Sequence, residues 1–347
     1  MTETDNRALY RKYRPATFSE VRDQDHIVSV LEGAIKKNVI PHAILFSGGR
    51  GTGKTTLARI FAEAIGTSNN DLYEIDAASN RGIDDIRELR EAVHTLPYQS
   101  ERKVYIIDEV HMLTKEAFNA LLKTLEEPPA HVIFILATTE EDKLLDTIKS
   151  RCQIFRFRSP SRLVLKETVI DVAKKEKFKL SPDAAELIAI AADGSFRDAL
   201  SILQKVAMSS ADQNGEADEV ARIIGAPRGE LLMKTIKALA SQDADTALAA
   251  VADATAAQVE MKLFIRLLLE RVRAIMLLRN LPSRAESIMS AFGDDDAKEL
   301  EALAKEQPSK INSHTLLRLL DAAVETARSP IPHLPLEIAI IDLCQKE

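Results

Sequence analysis

The sequence predicts an α/β fold, in which a parallel sheet carries helices on both faces and is followed by all-helical segments. Up to about residue 157, short apolar segments alternate with segments of helical periodicity, an order typical of a parallel sheet. Beyond that point the strand signal stops, and amphipathic helical patterns continue along the chain. Polar, proline-containing breaks at Ser159–Ser161 and Ala226–Gly229 indicate domain boundaries. We therefore expect three domains, over residues 1–159, 160–226 and 227–347.

The predicted strands are short runs of apolar residues. Two of them, VYII at residues 104–107 and VIFILA at residues 132–137, are apolar throughout, as expected of strands buried on both faces. The segments predicted as strands are Ala43–Phe46, Leu72–Asp76, Val104–Ile107, Val132–Ala137 and Ile154–Phe157.

Helices are predicted between these strands and after them. Apolar residues recur at helical spacing in Lys54–Ile65 and Thr114–Glu126, and Asp84–Val93 forms a third helix of the first half. In the second half, Ser181–Pro182 is typical of a helix start, because serine caps the first turn and proline fits its first position. The polar stretch Ser209–Asp218 is expected to be a loop.

Composition excludes several classes of protein. The chain has 347 residues, 46% of them hydrophobic, and a net charge of −7, which argues against a protein that covers nucleic acid with its whole surface. A local basic stripe stays compatible with that charge. The two cysteines, Cys152 and Cys344, lie far apart, so neither a disulfide framework nor a cysteine zinc site is expected. No apolar run approaches the ~20 residues that span a bilayer, and we expect a cytoplasmic protein.

Residues 48–55, GGRGTGKT, match the phosphate-binding pattern GxxxxGK[ST] in full. A strand before and a helix after are the context that this pattern requires. Backbone N–H groups of such a loop, together with the helix N-terminus, bind phosphate oxygens. We expect Lys54 at the β- and γ-phosphates of ATP and the Thr55 hydroxyl at Mg²⁺. The residues expected to bind the nucleotide are Gly48, Gly49, Arg50, Gly51, Thr52, Gly53, Lys54, Thr55 and Thr56.

Two carboxylates, Asp108 and Glu109, follow the predicted strand at residues 104–107. This position places them at the carboxyl edge of the sheet, where α/β proteins bind ligands. Asp108 is expected to hold Mg²⁺, partly through water, and Glu109 to polarise the attacking water. His111 is assigned no chemistry, because a single histidine here is more often a packed or hydrogen-bonding residue.

Three other polar residues are each compatible with two roles from their local sequence. Thr139 ends a strand, where it either caps the strand or contacts the γ-phosphate. Arg151 lies in a Ser-Arg-Cys triplet, and Arg197 opens a helix after Gly194-Ser195. Each arginine fits an ordinary surface charge as well as a functional role.

The ordered set of motifs resembles the clamp-loader family of AAA+ ATPases, and within it the γ/τ subunit family of bacterial DNA polymerase III. The resemblance is strong over residues 8–205 and weaker toward the end, where PHLPLEIAIIDLC is similar to the family's collar. LLKTLEEPP together with Ser-Arg-Cys is far more specific than the phosphate loop. The other matching segments are LYRKYRPATFSEVRDQDHIVSVL, EIDAASNRGIDDIREL, VYIIDEVHML, FILATTE and GSFRDALS.

The resemblance implies roles for the open residues. Thr139 falls at the family's first sensor of the γ-phosphate, and Arg197 at the second sensor, which reaches its own subunit's ATP from a helical lid. Arg151 falls at the arginine that reaches the neighbouring subunit's ATP, a contribution of about 10³- to 10⁵-fold in rate. The three expected domains become a nucleotide-binding domain, a lid and a collar that drives oligomerisation.

Two departures from the family pattern are visible. Members of this type usually carry a four-cysteine zinc module after the phosphate-loop helix, whereas Gly66–Asp71 is short and has no cysteine, so no zinc site is expected. The usual Val-Gly-Gln near the adenine is Arg22-Asp23-Gln24, which puts the adenine contacts in doubt. The chain ends where longer τ forms continue, so we expect it to behave like the shorter γ form.

The implied function is that of an ATPase subunit of the DNA polymerase III clamp loader, with ATP and Mg²⁺ as cofactors. Its expected partners are δ, δ′ and further γ/τ copies in a pentameric ring, the sliding clamp, and primer-template DNA through its phosphates, with no membrane involved. Arg81, Arg102, Lys103 and Lys115 are candidates for DNA contact, although each fits a solvated surface charge equally well. Alternatives are a non-catalytic scaffold subunit, disfavoured by the intact phosphate loop, and a different AAA+ motor such as a branch-migration helicase.

Overall fold

A computed structural model of the chain describes residues 7–80, 82–210, 214–289, 292, 294–306 and 309–345. It divides into two compact units, Met1–Gly215 and Glu216–Glu347. The first unit contains the sheet and residues 160–215 of the segment expected to form the lid. The three-domain division, with its boundaries at residues 159 and 226, stays a prediction.

Five parallel strands form the sheet of the first unit. They are β1 (Ala43–Ser47), β2 (Leu72–Asp76), β3 (Lys103–Asp108), β4 (Val132–Thr138) and β5 (Gln153–Arg156). Their order across the sheet is β2-β3-β4-β1-β5, and every pairing is parallel. The predicted parallel sheet is therefore confirmed, with strand ends displaced by no more than one residue.

Helices cover both faces of the sheet, as predicted. After a short helix, α1 (Leu9–Lys12), those that pack on the sheet are α2 (Asp25–Lys36), α3 (Lys54–Ala64), α4 (Ile83–Val93), α5 (Lys115–Glu126) and α6 (Asp146–Lys149). One core lies between the sheet and α2 and α3, and includes Ile27, Leu31 and Phe61. The second core lies between the opposite face and α4, α5 and α6, and includes Leu121 and Ile148. Helix α2 was not among the predicted helices, although Ile27 and Leu31 lie one turn apart on its buried side.

The rest of the first unit consists mainly of α7 (Arg162–Lys175), α8 (Pro182–Ala191) and α9 (Phe196–Ser209). A serine hydroxyl caps the start of each helix by accepting a backbone N–H, at Ser161, Ser181 and Ser195. The start predicted at Ser181–Pro182 is thus confirmed.

Two short strands overturn part of the prediction for this region. Strand β6 (Lys179–Leu180) pairs in parallel with β7 (Asn214–Gly215), although no strand was expected after residue 157. The expectation of a loop over Ser209–Asp218 is wrong at β7 and at Ala217, where the next helix begins. A two-residue strand is too short to show a periodicity. A Cβ at Gly215 would lie 2.8 Å from the side-chain ends of Leu180 and Phe178, which a larger residue would have to displace.

All the regular secondary structure described in the second unit is helical. Its helices are α10 (Ala217–Ile224), α11 (Gly229–Ser241), α12 (Ala244–Ala256), α13 (Met261–Asn280), α14 (Ala285–Met289), α15 (Asp294–Lys305), α16 (Ser313–Thr326) and α17 (Leu334–Cys344). In the described part of the chain, no helix combines the length and the apolar character needed to cross a membrane.

Candidate functional site

The glycine loop leaves the carboxyl end of β1 and leads into α3. Three of its glycines have positive φ angles, 148° at Gly48, 70° at Gly51 and 101° at Gly53. Gly48 also lies against Phe157, so that a Cβ at this position would come within 2.8 Å of that residue. The loop therefore requires glycine both for its backbone conformation and for its packing.

Lys54 is buried beneath this loop. Its Nζ donates to the carbonyl oxygens of Gly48 and Gly49, both at 2.8 Å, and the residue is only 6% exposed. Burial lowers the pKa of the Lys54 ammonium, while the nearby Glu109 and Asp108 carboxylates oppose that effect. The cation is thus held inside the loop, at the place where a phosphate-binding lysine is needed.

Thr55, in the first turn of α3, contacts Asp108, the last residue of β3. The Thr55 hydroxyl donates to Asp108 Oδ2 at 2.6 Å, although the two residues are 53 positions apart in the chain. A hydroxyl and a carboxylate at one point form the hard oxygen pair that Mg²⁺ prefers. The chemistry of these donors therefore fits the metal that the fold implies.

Glu109 adopts a left-handed conformation, with φ of 48°. Its carboxylate accepts the Thr139 hydroxyl, with 3.0 Å between Oγ1 and Oε2. The backbone therefore turns just after Asp108, and the two carboxylates occupy different positions. Thr139 contacts the expected general base, a partner that the sequence did not identify.

His111 lies directly behind Glu109 and is almost completely buried. Its Nδ1 lies 3.0 Å from Thr138 Oγ1 and 3.5 Å from Glu109 Oε2, and its Nε2 lies 3.3 Å from Glu140 Oε1. These contacts agree with a packed, hydrogen-bonding histidine, as expected from the sequence.

A cavity of about 550 Å³ opens beside the phosphate loop. Its volume lies within the range of small-molecule and cofactor sites. Arg50 to Thr56 line one side, together with Asp108, Glu109 and Arg197. Gly48, Gly49, Thr139 and Arg151 are not among its lining residues. The lining also includes apolar and aromatic residues, among them Tyr10, Pro15, Val21, Val172 and Leu200.

Arg197 faces this cavity from the first turn of α9. Its guanidinium lies 5.8 Å from the centre of the Tyr10 ring, a cation–π contact. Arg14 also lines the cavity, and burial together with the neighbouring Arg59 lowers its pKa. Tyr10 and Arg14 were not singled out from the sequence. The only signal for them was their place in the segment LYRKYRP.

Arg151 lies at the amino ends of the strands, whereas its own phosphate loop lies at their carboxyl ends. It precedes β5, whose first residue, Gln153, pairs with Ile44 near the start of β1. The phosphate loop follows Ser47, at the far end of β1. Arg151 instead contacts Glu126, with 2.6 Å between Nη2 and Oε1.

The segment Arg22–Gln24, which departs from the family pattern, forms specific contacts. Asp23 has a φ of 61°, in the region that favours glycine, and its Oδ2 accepts from Ser161 N at 2.8 Å. Arg22 pairs with Asp171 at 2.6 Å, and both residues line the cavity. The buried Gln24 side chain donates to the carbonyl of Arg158. The segment thus joins the wall of the cavity to the start and middle of α7.

The structure separates the four basic candidates for DNA contact. Lys103 is only 3% exposed, and its Nζ donates to the carbonyl oxygens of Ala92 and Thr95. The prediction that Lys103 is a surface residue available to DNA is therefore wrong. At the start of a buried strand, this lysine instead donates to neighbouring carbonyl oxygens. Lys115 is exposed, and Arg102 is partly buried and contacts Asn38. Arg81 lies outside the described residues.

Among the described residues, no three His, Cys, Asp or Glu side chains gather as the ligands of a metal ion would. The expectation that this chain carries no zinc site stays a prediction, since it was made from the sequence of the Gly66–Asp71 segment.

Three family models match successive parts of the chain. Residues 67–161 match the model described as DNA polymerase III, delta subunit. Residues 165–211 match the ATPase lid domain of the DNA polymerase III clamp loader subunit. Residues 216–347 match domain III of the DNA polymerase III subunits gamma and tau.

Curated relatives match most of the chain. The DNA polymerase III subunit tau of Bacillus subtilis is 36% identical over 97% of this chain and 63% of its own length. The gamma/tau subunit of Mycobacterium tuberculosis is 35% identical over 95% of this chain and 61% of its own. The tau subunit of Escherichia coli is 35% identical over 82% of this chain and 47% of its own. The chain thus spans less than two thirds of these relatives.

Solved structures share the fold. The Thermotoga maritima RuvB Holliday junction branch migration motor superposes with a TM-score of 0.52 and 24% identity. The superposition covers 65% of this chain and 79% of that one. At this level of identity the likeness establishes the AAA+ fold alone.

Proposed function

The chain belongs to the γ/τ family of DNA polymerase III clamp-loader subunits, and we propose that it binds Mg-ATP and hydrolyses it to open a sliding clamp and load it onto primer-template DNA. The single observation that supports this proposal most directly is the meeting of three groups at one sheet edge. Lys54 under the glycine loop, the Thr55–Asp108 pair at 2.6 Å and Glu109 all lie beside one cavity.

The residues of the loop bind the triphosphate in this proposal. Backbone N–H groups of residues 48–55 surround the phosphates, and Lys54 exchanges the Gly48 and Gly49 carbonyls for phosphate oxygens. Thr55 and Asp108 would hold Mg²⁺, partly through water. When bound, this ion neutralises charge on the β- and γ-phosphates.

Three further residues of the same chain act on hydrolysis. Glu109 accepts the proton of the attacking water, a role worth about 10²- to 10⁴-fold in rate. Thr139 reads the γ-phosphate through its hydroxyl, which donates to Glu109 at 3.0 Å in this structure. Arg197 lines the cavity from α9 and stabilises the charge on the transferred phosphoryl group.

Arg151 serves the nucleotide of a neighbouring subunit. It lies at the amino edge of the sheet, beyond the length of β1 from its own phosphate loop. At about 3.3 Å per strand residue, that separation is too large for its side chain to reach its own ATP. A role at the γ-phosphate therefore requires another subunit, and an isolated chain should hydrolyse ATP slowly.

We also propose that the chain assembles with further γ/τ copies, δ and δ′ in a pentameric ring. The ring contacts the sliding clamp and DNA phosphates at a bacterial replication fork.

One feature of the second unit supports this proposed assembly. Large apolar side chains remain exposed along α16, α17 and the segment between them, an arrangement typical of protein interfaces. They are Leu317, Leu320, Val324, Ile331, Leu334, Ile338 and Ile341.

The decisive experiment compares ATP binding, ATP hydrolysis and clamp loading. We expect the free chain to bind Mg-ATP, and a complex reconstituted with δ, δ′, clamp and primed DNA to hydrolyse it. Lys54→Ala and Glu109→Ala should abolish hydrolysis. Failure of the wild-type chain to bind ATP would instead favour a non-catalytic scaffold subunit. ATP-driven strand separation without affinity for the clamp would favour a branch-migration motor.

A further inference from the structure

The Arg151 guanidinium has two hydrogen-bond partners outside the phosphate site of its own chain. Its Nη2 lies 2.6 Å from Glu126 Oε1, and its Nη1 donates to the carbonyl oxygen of Thr147 at 2.6 Å. Glu126 is the last residue of α5, whereas Thr147 belongs to α6. Two acceptors from two separate helices therefore hold one guanidinium group.

Both helices are fixed to the same core. Leu121 and Leu125 of α5 and Ile148 of α6 are at most 1% exposed, and all three belong to the core on that face of the sheet. Cys152, the neighbour of Arg151, packs against the same core. The geometry of the Arg151–Glu126 pair is therefore set by a rigid base on both sides.

Stability does not account for this arrangement. The Arg151 and Glu126 side chains are 32% and 49% exposed, and a pair this open contributes little to stability. Ordering a long arginine side chain has an entropic cost of similar size. What the pair provides is a fixed direction for the guanidinium.

We propose that Glu126 is a positioning residue that orients Arg151 toward the triphosphate held by a neighbouring subunit. This inference rests on the proposed role of Arg151 in trans. Glu126 and the Thr147 carbonyl occupy two of the five N–H donors of a guanidinium. Three donors remain for phosphate oxygens. Because the group is ordered in advance, less entropy is lost when the neighbour's ATP arrives.

The test uses the reconstituted complex with clamp and primed DNA, in which steady-state ATP hydrolysis is measured for Glu126→Ala, Glu126→Gln and Arg151→Ala. We expect Glu126→Ala to lower kcat by about 10- to 100-fold, as misplacement of a catalytic group does, with KM unchanged. Glu126→Gln should recover most of the rate, since its amide oxygen still accepts from the guanidinium. Glu127→Ala is the matched control, because Glu127 is exposed at the same helix end, and it should keep the wild-type rate.

The possible results separate this inference from the proposed function. A wild-type or faster rate for Glu126→Ala, with Arg151→Ala still defective, would overturn the positioning role alone. A wild-type rate for Arg151→Ala would overturn the trans role and the inference with it. Loss of ATP affinity in the free Glu126→Ala chain would show a structural effect on the subunit and would also overturn the positioning role.

Discussion

The Thr139 hydroxyl donates to the carboxylate of Glu109, with 3.0 Å between Oγ1 and Oε2. The residue proposed to detect the γ-phosphate thus contacts the residue proposed to activate water. A hydroxyl has one proton to donate, so a γ-phosphate oxygen that accepts it must replace Glu109. In the proposed mechanism, contact of Thr139 with the γ-phosphate and its release of Glu109 are therefore the same exchange of hydrogen-bond acceptors.

Replacement of Thr139 tests this exchange. We expect Thr139→Val, which keeps the shape but loses the hydroxyl, to lower kcat for ATP hydrolysis by about 10-fold or more, because the sensor contact to the phosphate is lost. ATP affinity should change little. Thr139→Ser keeps the donor and should stay close to the wild type. Equal rates for the valine and serine variants in the assembled complex would contradict the role of the hydroxyl.

Gly51→Ala probes the packing of the phosphate loop against α9. Alanine at a φ of 70° costs about 1–2 kcal/mol, and its Cβ would clash with the Ser195 hydroxyl and lie 3.3 Å from Arg197. We expect the free energy of unfolding without nucleotide to fall by more than that strain alone. Gly53→Ala is the control, since its φ is also positive but no atom lies within 4 Å of a Cβ there. Equal losses in denaturant titrations of the two variants would refute the packing contribution.

Asp71 predicts a pH dependence of stability. Burial alone would raise its pKa, but the backbone N–H groups of Tyr98, Gln99 and Ser100, at 2.5–2.8 Å, outweigh that effect and hold the pKa well below its usual value. A depressed carboxylate pKa stabilises the fold above the unfolded-state value of about 3.9. This contribution is lost as pH falls through the folded-state pKa.

We therefore expect Asp71→Asn to lower the free energy of unfolding by roughly 1–3 kcal/mol at pH 7. The difference from the wild type should shrink below about pH 4. Denaturant titrations at pH 7, 5 and 3 measure it, and Glu101→Gln, an exposed change nearby, provides the control. A difference that is constant over this range would show that the carboxylate charge is not responsible.

Asp23 replaces a glycine of the family pattern and keeps a glycine-like φ of 61°. Asp23→Gly relieves at most about 1 kcal/mol of backbone strain. It also removes an acceptor of the Ser161 N–H at the start of α7, and a hydrogen bond to a charged group contributes about 1.5–3 kcal/mol. We expect the loss to exceed the gain, with a small decrease in the unfolding temperature. Asp23→Asn, which tolerates this φ and keeps an uncharged acceptor, should lose less stability than the glycine variant, and a glycine variant more stable than the wild type would reverse the conclusion.

The sequence predicted those parts of the fold that depend on local patterns. Strands such as β3 and β4 are apolar on both faces, and the glycine loop has a residue pattern of its own, so both were identified before the structure. Lys103 was misjudged because nothing in its local sequence shows that Ala92 and Thr95 direct carbonyl oxygens toward it. The two-residue strands β6 and β7 depend on a pairing between distant segments.

In the candidate site too, local sequence patterns did not predict the contacts between distant segments. The phosphate loop and Asp108 come from contiguous motifs, whereas Tyr10 and Arg14 enter the cavity only through the docking of the N-terminal segment on α9, where Leu9 N donates to Gln204 Oε1. Likewise, the Ser-Arg-Cys triplet identified Arg151, but the pairing with Glu126 joins residues 25 positions apart. Contacts of this kind depend on the tertiary fold and have no signature in a single sequence.

In the proposed trans role, Arg151 lies at the amino ends of the strands and the phosphate loop at their carboxyl ends, so each subunit has a donor side and a receiving side. Copies that complete one another's sites must then associate head to tail, since a two-fold dimer would bring like sides together. In an open row of such subunits, the nucleotide at one end has no donor, and the arginine at the other end has no recipient. An unclosed arc is therefore polar, and its two ends must meet partners of different kinds.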